Sequence, residues 1–152
     1  MKIPINITLT SKTAFGSEKN NNSPVITEGT AVGYIKKTKK GLVLECPDIL
    51  SQLPSNIPMT FSIINDRIVT VNQLGLYNGY MVFEQGKSHI CVYDVPPYPP
   101  VQLCVQTNTL KNNITQLGGK MEIDYTVSVV GTIAEHSHVT MSVSPHESVM
   151  TS

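Results

Sequence analysis

The sequence predicts an all-β protein, an antiparallel up-and-down barrel of about 9–10 strands. Three observations lead there. Apolar and polar residues alternate with period two, from Ile3, Ile5, Ile7 and Leu9 at the start to Val139, Met141 and Val143 near the end. Turn-forming groups break the alternation at short intervals: Asn65-Asp66, Asn78-Gly79, Gln85-Gly86 and Leu117-Gly118-Gly119. No stretch keeps a helical period beyond a turn or two. Short strands in chain order most simply close on themselves, because closure removes exposed edges; a two-sheet sandwich is the alternative.

The elements follow in order. Residues 3–10 form a half-buried strand, and the polar run Gly16–Pro24 is a loop. A second strand from about Val25 to Ile35 ends in the lysine-rich turn at 36–41, a solvated hairpin tip that lacks the arginines and aromatics of a nucleic-acid contact. Leu42, Val43 and Leu44 open a third strand, which stops where Cys46-Pro47 removes a backbone donor. Residues 47–58 are a proline-rich connection with one helical turn at Ile49–Leu53. MTFSII and RIVTVN form a hairpin, and two further strands turn at Asn78-Gly79 and Gln85-Gly86. The run Pro96-Pro97-Tyr98-Pro99-Pro100 interrupts the sheet as a stiff corner, and VQLCVQTNTL resumes it. MEIDYTVSVV and AEHSHVTMSVS supply the last two strands. Residues 1–144 are therefore one barrel domain, and 145–152 a flexible tail.

Composition removes several functions. The chain of 152 residues balances eleven basic against eleven acidic side chains, so no net field draws nucleic acid or an anionic membrane. Its one arginine, Arg67, leaves little for forked recognition of phosphate or guanine. The first residues alternate rather than forming the apolar run of a signal peptide, and no apolar run is long enough to span a membrane. Three cysteines without CxxC spacing read as reduced thiols of a cytoplasmic protein.

Two histidine groups invite a catalytic or metal reading. His89, Cys91 and Tyr93 share one strand face, but two metal-ligand types on one strand fall short of the usual three or four. His136 and His138 also share a face, and the antiparallel neighbour carries Glu122 and Asp124 on the matching parity. Those four residues have the ligand types for zinc or another divalent ion. Because Val139, Met141 and Val143 hold the inward parity, both histidines are expected on the solvated outer wall. No GxSxG elbow or cysteine nucleophile signature occurs, and no glycine-rich loop precedes a helix. No cofactor is implied.

MVFEQGKSHICVYDVPPYPPVQLCVQTNTL, then GGKMEIDYTVSVVG and a histidine-containing last strand, resembles the YwiB-like family. The likeness includes KIPINITLTSK and VITEGTAVGY and spans roughly residues 2–144. It implies a small bacterial protein with a barrel of the calycin (lipocalin-like) type, and it brings no catalytic residues. Two positions depart from the family pattern: Val95-Pro96-Pro97-Tyr98-Pro99 stands at a corner that resembles T-P-Y-G in many members, and Asn72-Gln73-Leu74-Gly75 lacks an arginine.

Three function classes follow. The first is a barrel that binds a small apolar molecule, lined by Tyr34, Phe61, Tyr80 or Phe83, Met121, Tyr125 and Met141. The second is a filled barrel acting through its surface, as a homodimer or a protein-interaction module. The third is a metal-dependent enzyme centred on His136 and His138. Of the inward set, Tyr125 is the most informative, because a buried hydroxyl needs a partner.

Overall fold

The computed structural model describes residues 2–15, 25–47, 58–65, 67–73, 78–94, 99–129 and 132–146. Ten antiparallel strands close into one barrel. They are β1 (Ile3–Phe15), β2 (Val25–Lys37), β3 (Gly41–Pro47), β4 (Pro58–Ile64), β5 (Ile68–Gln73), β6 (Asn78–Glu84), β7 (Ser88–Asp94), β8 (Val101–Asn112), β9 (Gly119–Val129) and β10 (Thr132–Pro145). Each strand pairs with the next, and β1 closes the ring by pairing with both β2 and β10. The barrel is thus an up-and-down meander, not a sandwich.

The wall is uneven. Strands β8, β9, β10, β1 and β2 run 11–14 residues, whereas β3 to β7 run 6–7. Tight turns gather at the end that also holds Ile3 and Pro145. Thr38 N–H donates to the Gly41 carbonyl at 2.7 Å, Arg67 N–H to Ile64 at 3.0 Å and Lys87 N–H to Glu84 at 3.0 Å. Asn65 and Gly86 take the left-handed φ (52° and 75°) that such two-residue turns require. Phe15, Val25, Pro47, Gln73, Asp94, Val101, Val129 and Thr132 mark the other end, the mouth.

The core is one cluster that fills the barrel from the turn end upward. Ile5, Ile7, Leu9, Ile35, Leu44, Ile63, Val69, Val105 and Met141 are nearly or wholly buried. On β2 the inward positions facing this cluster are Gly29, Ala31 and Gly33, opposite Leu9, Ile7 and Ile5. Gly33 is obligatory for a second reason: a Cβ there would collide with the Glu45 carbonyl oxygen and come within 3.0 Å of the Cys46 Cβ.

The sequence places the strands well and misplaces one turn. Asn78 and Gly79 are not a hairpin turn; they begin β6, pairing with Asp94 and Tyr93 of β7. Turn chemistry at Asn-Gly yields here to pairing on both sides, since Gly79 also faces Gln73 of β5. The expected loop at 16–24, the helical turn at 49–53 and most of the proline corner lie outside the described residues.

Candidate functional site

Extending the inward parity of the tall wall toward the mouth replaces apolar residues with polar ones. Thr13 of β1 stands opposite Ser137 of β10, Ser137 opposite Tyr125 of β9, and Tyr125 opposite Thr107 of β8. These residues form one row across adjacent strands, all on the inner face. Ser11 lies one inward step below Thr13, and Glu135 one step above Ser137. Bulges flank the row, between Ile133 and Glu135 on β10 and between Thr107 and Thr109 on β8. Each re-aims the residues beside it, as bulges at barrel rims do. The first sets Glu135 opposite the buried Val127, which turns its carboxylate toward the lumen.

The row is hydrogen-bonded through Ser137, which is 1% exposed. Its hydroxyl donates to Glu135 Oε2 at 3.0 Å and meets Thr13 Oγ1 at 2.9 Å, and Thr13 in turn meets Ser11 Oγ at 3.2 Å. The Tyr125 phenol lies beside Ser137 across the β9–β10 pair, and that neighbour works to lower its pKa. Burial, with the nearby charge of Glu135, pushes that phenol up to about 12, so it keeps its proton at neutral pH. The Tyr125 ring crosses the lumen to Phe83 of β6, with centroids 4.7 Å apart and planes tilted by 57°. Thr107 is completely buried, yet its Oγ1 has no hydrogen-bond partner. Ser11, Thr13, Tyr125 and Glu135 face inward and still reach solvent, unlike the sealed layers beneath them. The far wall at this level is apolar, with Cys91, Val105 and Phe83 buried and Leu103 packed against the core.

The expected interior residues divide. Phe61, Phe83, Met121 and Met141 are buried in the core, and Tyr125 packs against it. The Tyr80 side chain lies outside the described residues. Tyr34 must be corrected: it is 48% exposed on the outer wall, opposite Pro4 and Glu45, with Lys2 Nζ 5.8 Å from its ring centroid. The inward residues of β2 are its small ones and Ile35, so the largest side chain of that strand falls outside.

The histidine pair is on the outer wall as its parity requires. His138 pairs directly with Asp124. Asp124 Oδ1 accepts from Asn108 Nδ2 at 2.9 Å and meets His136 Nε2 at 2.8 Å, while Oδ2 meets His138 Nδ1 at 3.2 Å. Glu122 Oε1 is 3.4 Å from His138 Nε2. Desolvation works to raise the Asp124 carboxyl, but its bonds to His136, Asn108 and His138 outweigh it and hold the group below the usual range. The imidazole nitrogens point at carboxylates rather than converging on one point. Among the described residues no group of three or more His, Cys, Asp and Glu is arranged to hold a metal ion. His89 is likewise engaged by Glu84, at 3.0 Å.

A separate hollow of about 350 Å³ lies between two turns at the closed end, lined by Arg67, Glu84, Gln85 and Lys87. Its lining residues are charged or amide side chains, and Lys87 already pairs with Glu84 at 3.4 Å. No helix among the described residues is long and apolar enough to cross a membrane.

A closed antiparallel barrel, apolar at one end and polar-lined at its mouth, is a barrel of the lipocalin-like kind. The chain belongs to the family described as Domain of unknown function (DUF1934), whose model matches residues 7–141. The ywiB protein from Bacillus subtilis is similar to it in fold: its crystal structure matches with a TM-score of 0.79 at 14% identity, over 96% of this chain and 94% of that one. No curated protein matches the chain in sequence.

Proposed function

We propose that the barrel binds a small, largely apolar molecule that enters at the mouth and lies between the polar strip of β1, β10 and β9 and the apolar wall of β6 to β8. The observation that carries this reading is the polar row itself. Inward-facing Ser11, Thr13, Tyr125 and Glu135 remain solvent-accessible above a sealed apolar core, which describes a lined cup. A barrel packed solely for stability gains nothing from a carboxylate on its inner face. The Tyr125 ring packs against Phe83 and the core, so it forms part of the lining and the floor beneath it is filled.

Titration with N-phenyl-1-naphthylamine, an apolar probe that brightens on leaving water, tests the reading. Saturable binding of one probe per chain is expected; a response that rises linearly without saturation would refute it. A second reading has its own support on the outer wall, where Ile90 and Val92 share one face of β7 and are 65% and 48% exposed. Exposed side chains of that kind suit a homodimer or a protein partner. Native mass spectrometry of the protein as purified reports ligand and oligomer together, and a single ligand-free monomer would count against both readings.

A further inference from the structure

We propose that the polar strip selects a cationic, hydrogen-bond-donating head group, a primary ammonium on an apolar body, with Glu135 as its anchor; the inference rests on the binding function above.

The direction of the hydrogen-bond chain carries the argument. Ser137 has one hydroxyl hydrogen, and it goes to Glu135 Oε2. In the 2.9 Å contact with Thr13, Ser137 must therefore accept, so Thr13 donates. With its hydrogen committed, Thr13 accepts from Ser11 across 3.2 Å. Burial keeps the Tyr125 phenol protonated beside Ser137. Every hydroxyl hydrogen in the chain is thus spent, and all run toward Glu135. What this chain still offers the lumen is lone pairs: the second carboxylate oxygen of Glu135 and the hydroxyl oxygen of Ser11.

Such a surface matches a donor. A carboxylate or phosphate head would add acceptors and a second negative charge beside Glu135, which no cation neutralises by an ion pair among the described residues. An ammonium brings three donors and the opposite charge. An independent observation points to the same place. Thr107, buried and directly across from Tyr125, leaves its Oγ1 without a partner, and a buried hydroxyl in that state calls for a polar atom beside it. Phe83, Cys91 and Leu103 supply the apolar surface for the body of the molecule.

Octylamine, octanol and octanoate share one tail and differ only in the head. Competition of each against bound N-phenyl-1-naphthylamine, on the full chain at neutral pH, separates the possibilities. Octylamine is expected to displace the probe at least tenfold more tightly than either of the others. Glu135→Gln should bring octylamine down to the level of octanol while octanol itself is unchanged. Equal displacement by all three, or a preference for octanoate, would leave the cup in place and overturn the head-group assignment. Absence of probe binding would overturn the cup as well. If Glu135→Gln unfolds, as circular dichroism would report, the ranking on the unaltered protein decides, and Ser137→Ala replaces it as the variant: it frees the hydrogen of Thr13 and should narrow the preference for octylamine.

Discussion

Ser137→Ala removes the hub of the mouth and tests the geometry most directly. Ser137 is 1% exposed and holds two hydrogen-bond partners, Glu135 at 3.0 Å and Thr13 at 2.9 Å, with Tyr125 beside it. A net hydrogen bond contributes about 1 kcal/mol, and one to a charged group about 1.5–3 kcal/mol. Complete loss would sum to roughly 2.5–4 kcal/mol on that scale. Both partners reach solvent, however, so water replaces part of what is lost, and we expect about 2–3 kcal/mol. In a chain of 152 residues this lowers Tm by about 5–10 °C. Urea unfolding followed by far-UV circular dichroism and tyrosine fluorescence measures it, since the chain has no tryptophan. Ser142→Ala, on the outward parity of the same strand, is the control and should stay within about 0.5 kcal/mol. Tyr125→Phe alone should cost about 0.5–1.5 kcal/mol, because Ser137 keeps Thr13 and Glu135. The double variant should cost less than the two singles together by about 1 kcal/mol. If Ser137→Ala proves as mild as Ser142→Ala, or the two sites add without coupling, the directed hydroxyl chain is wrong.

Three further outcomes follow from other parts of the barrel. Gly33→Ala drives a Cβ into the Glu45 carbonyl oxygen and should destabilise by about 1–3 kcal/mol in chemical denaturation, whereas Gly86→Ala meets open space and is opposed only by its positive φ. Asp124 is held below its ordinary carboxyl range by His136, Asn108 and His138, so its contribution is present above the unfolded value of about 4 and is lost as pH falls through the lower folded value. Asp124→Asn should therefore cost about 0–1 kcal/mol at neutral pH and flatten the loss of stability below about pH 4; an unchanged acid limb would show that the outer-wall cluster contributes nothing. The three cysteines form no disulfide, with Cys46 and Cys91 buried and Cys104 partly exposed. Ellman's reagent should modify Cys104 first in the native protein, with Cys91 slow because burial pushes its thiol up, and should find all three in denaturant.

How far the sequence reaches is set by what alternation can encode. Parity alone puts Met121, Ile123 and Tyr125 inward on β9, and it sends His136 and His138 outward to meet Asp124. It fails on β2, where Val32 and Tyr34 share one parity and Gly29, Ala31 and Gly33 the other: size suggests that the larger set faces in, and the close approach of β3 at Gly33 favours the opposite. Asn78-Gly79 fails for a related reason, because a two-residue signal carries no account of the strands on either side of it. The polar row was within reach. Val139, Met141 and Val143 fix the inward face of β10, and two more steps along that face give Ser137 and Glu135. A reading that identifies the inner face by its apolar residues stops where they stop, and so ends one residue short of the site. What no single strand could supply is the register that sets Thr13, Ser137, Tyr125 and Thr107 side by side, or the bulges that hold Glu135 and Thr107 in line with it. Those depend on pairing between segments as far apart as residues 13 and 137, and a hydrogen-bonded hub exists only once that pairing has formed.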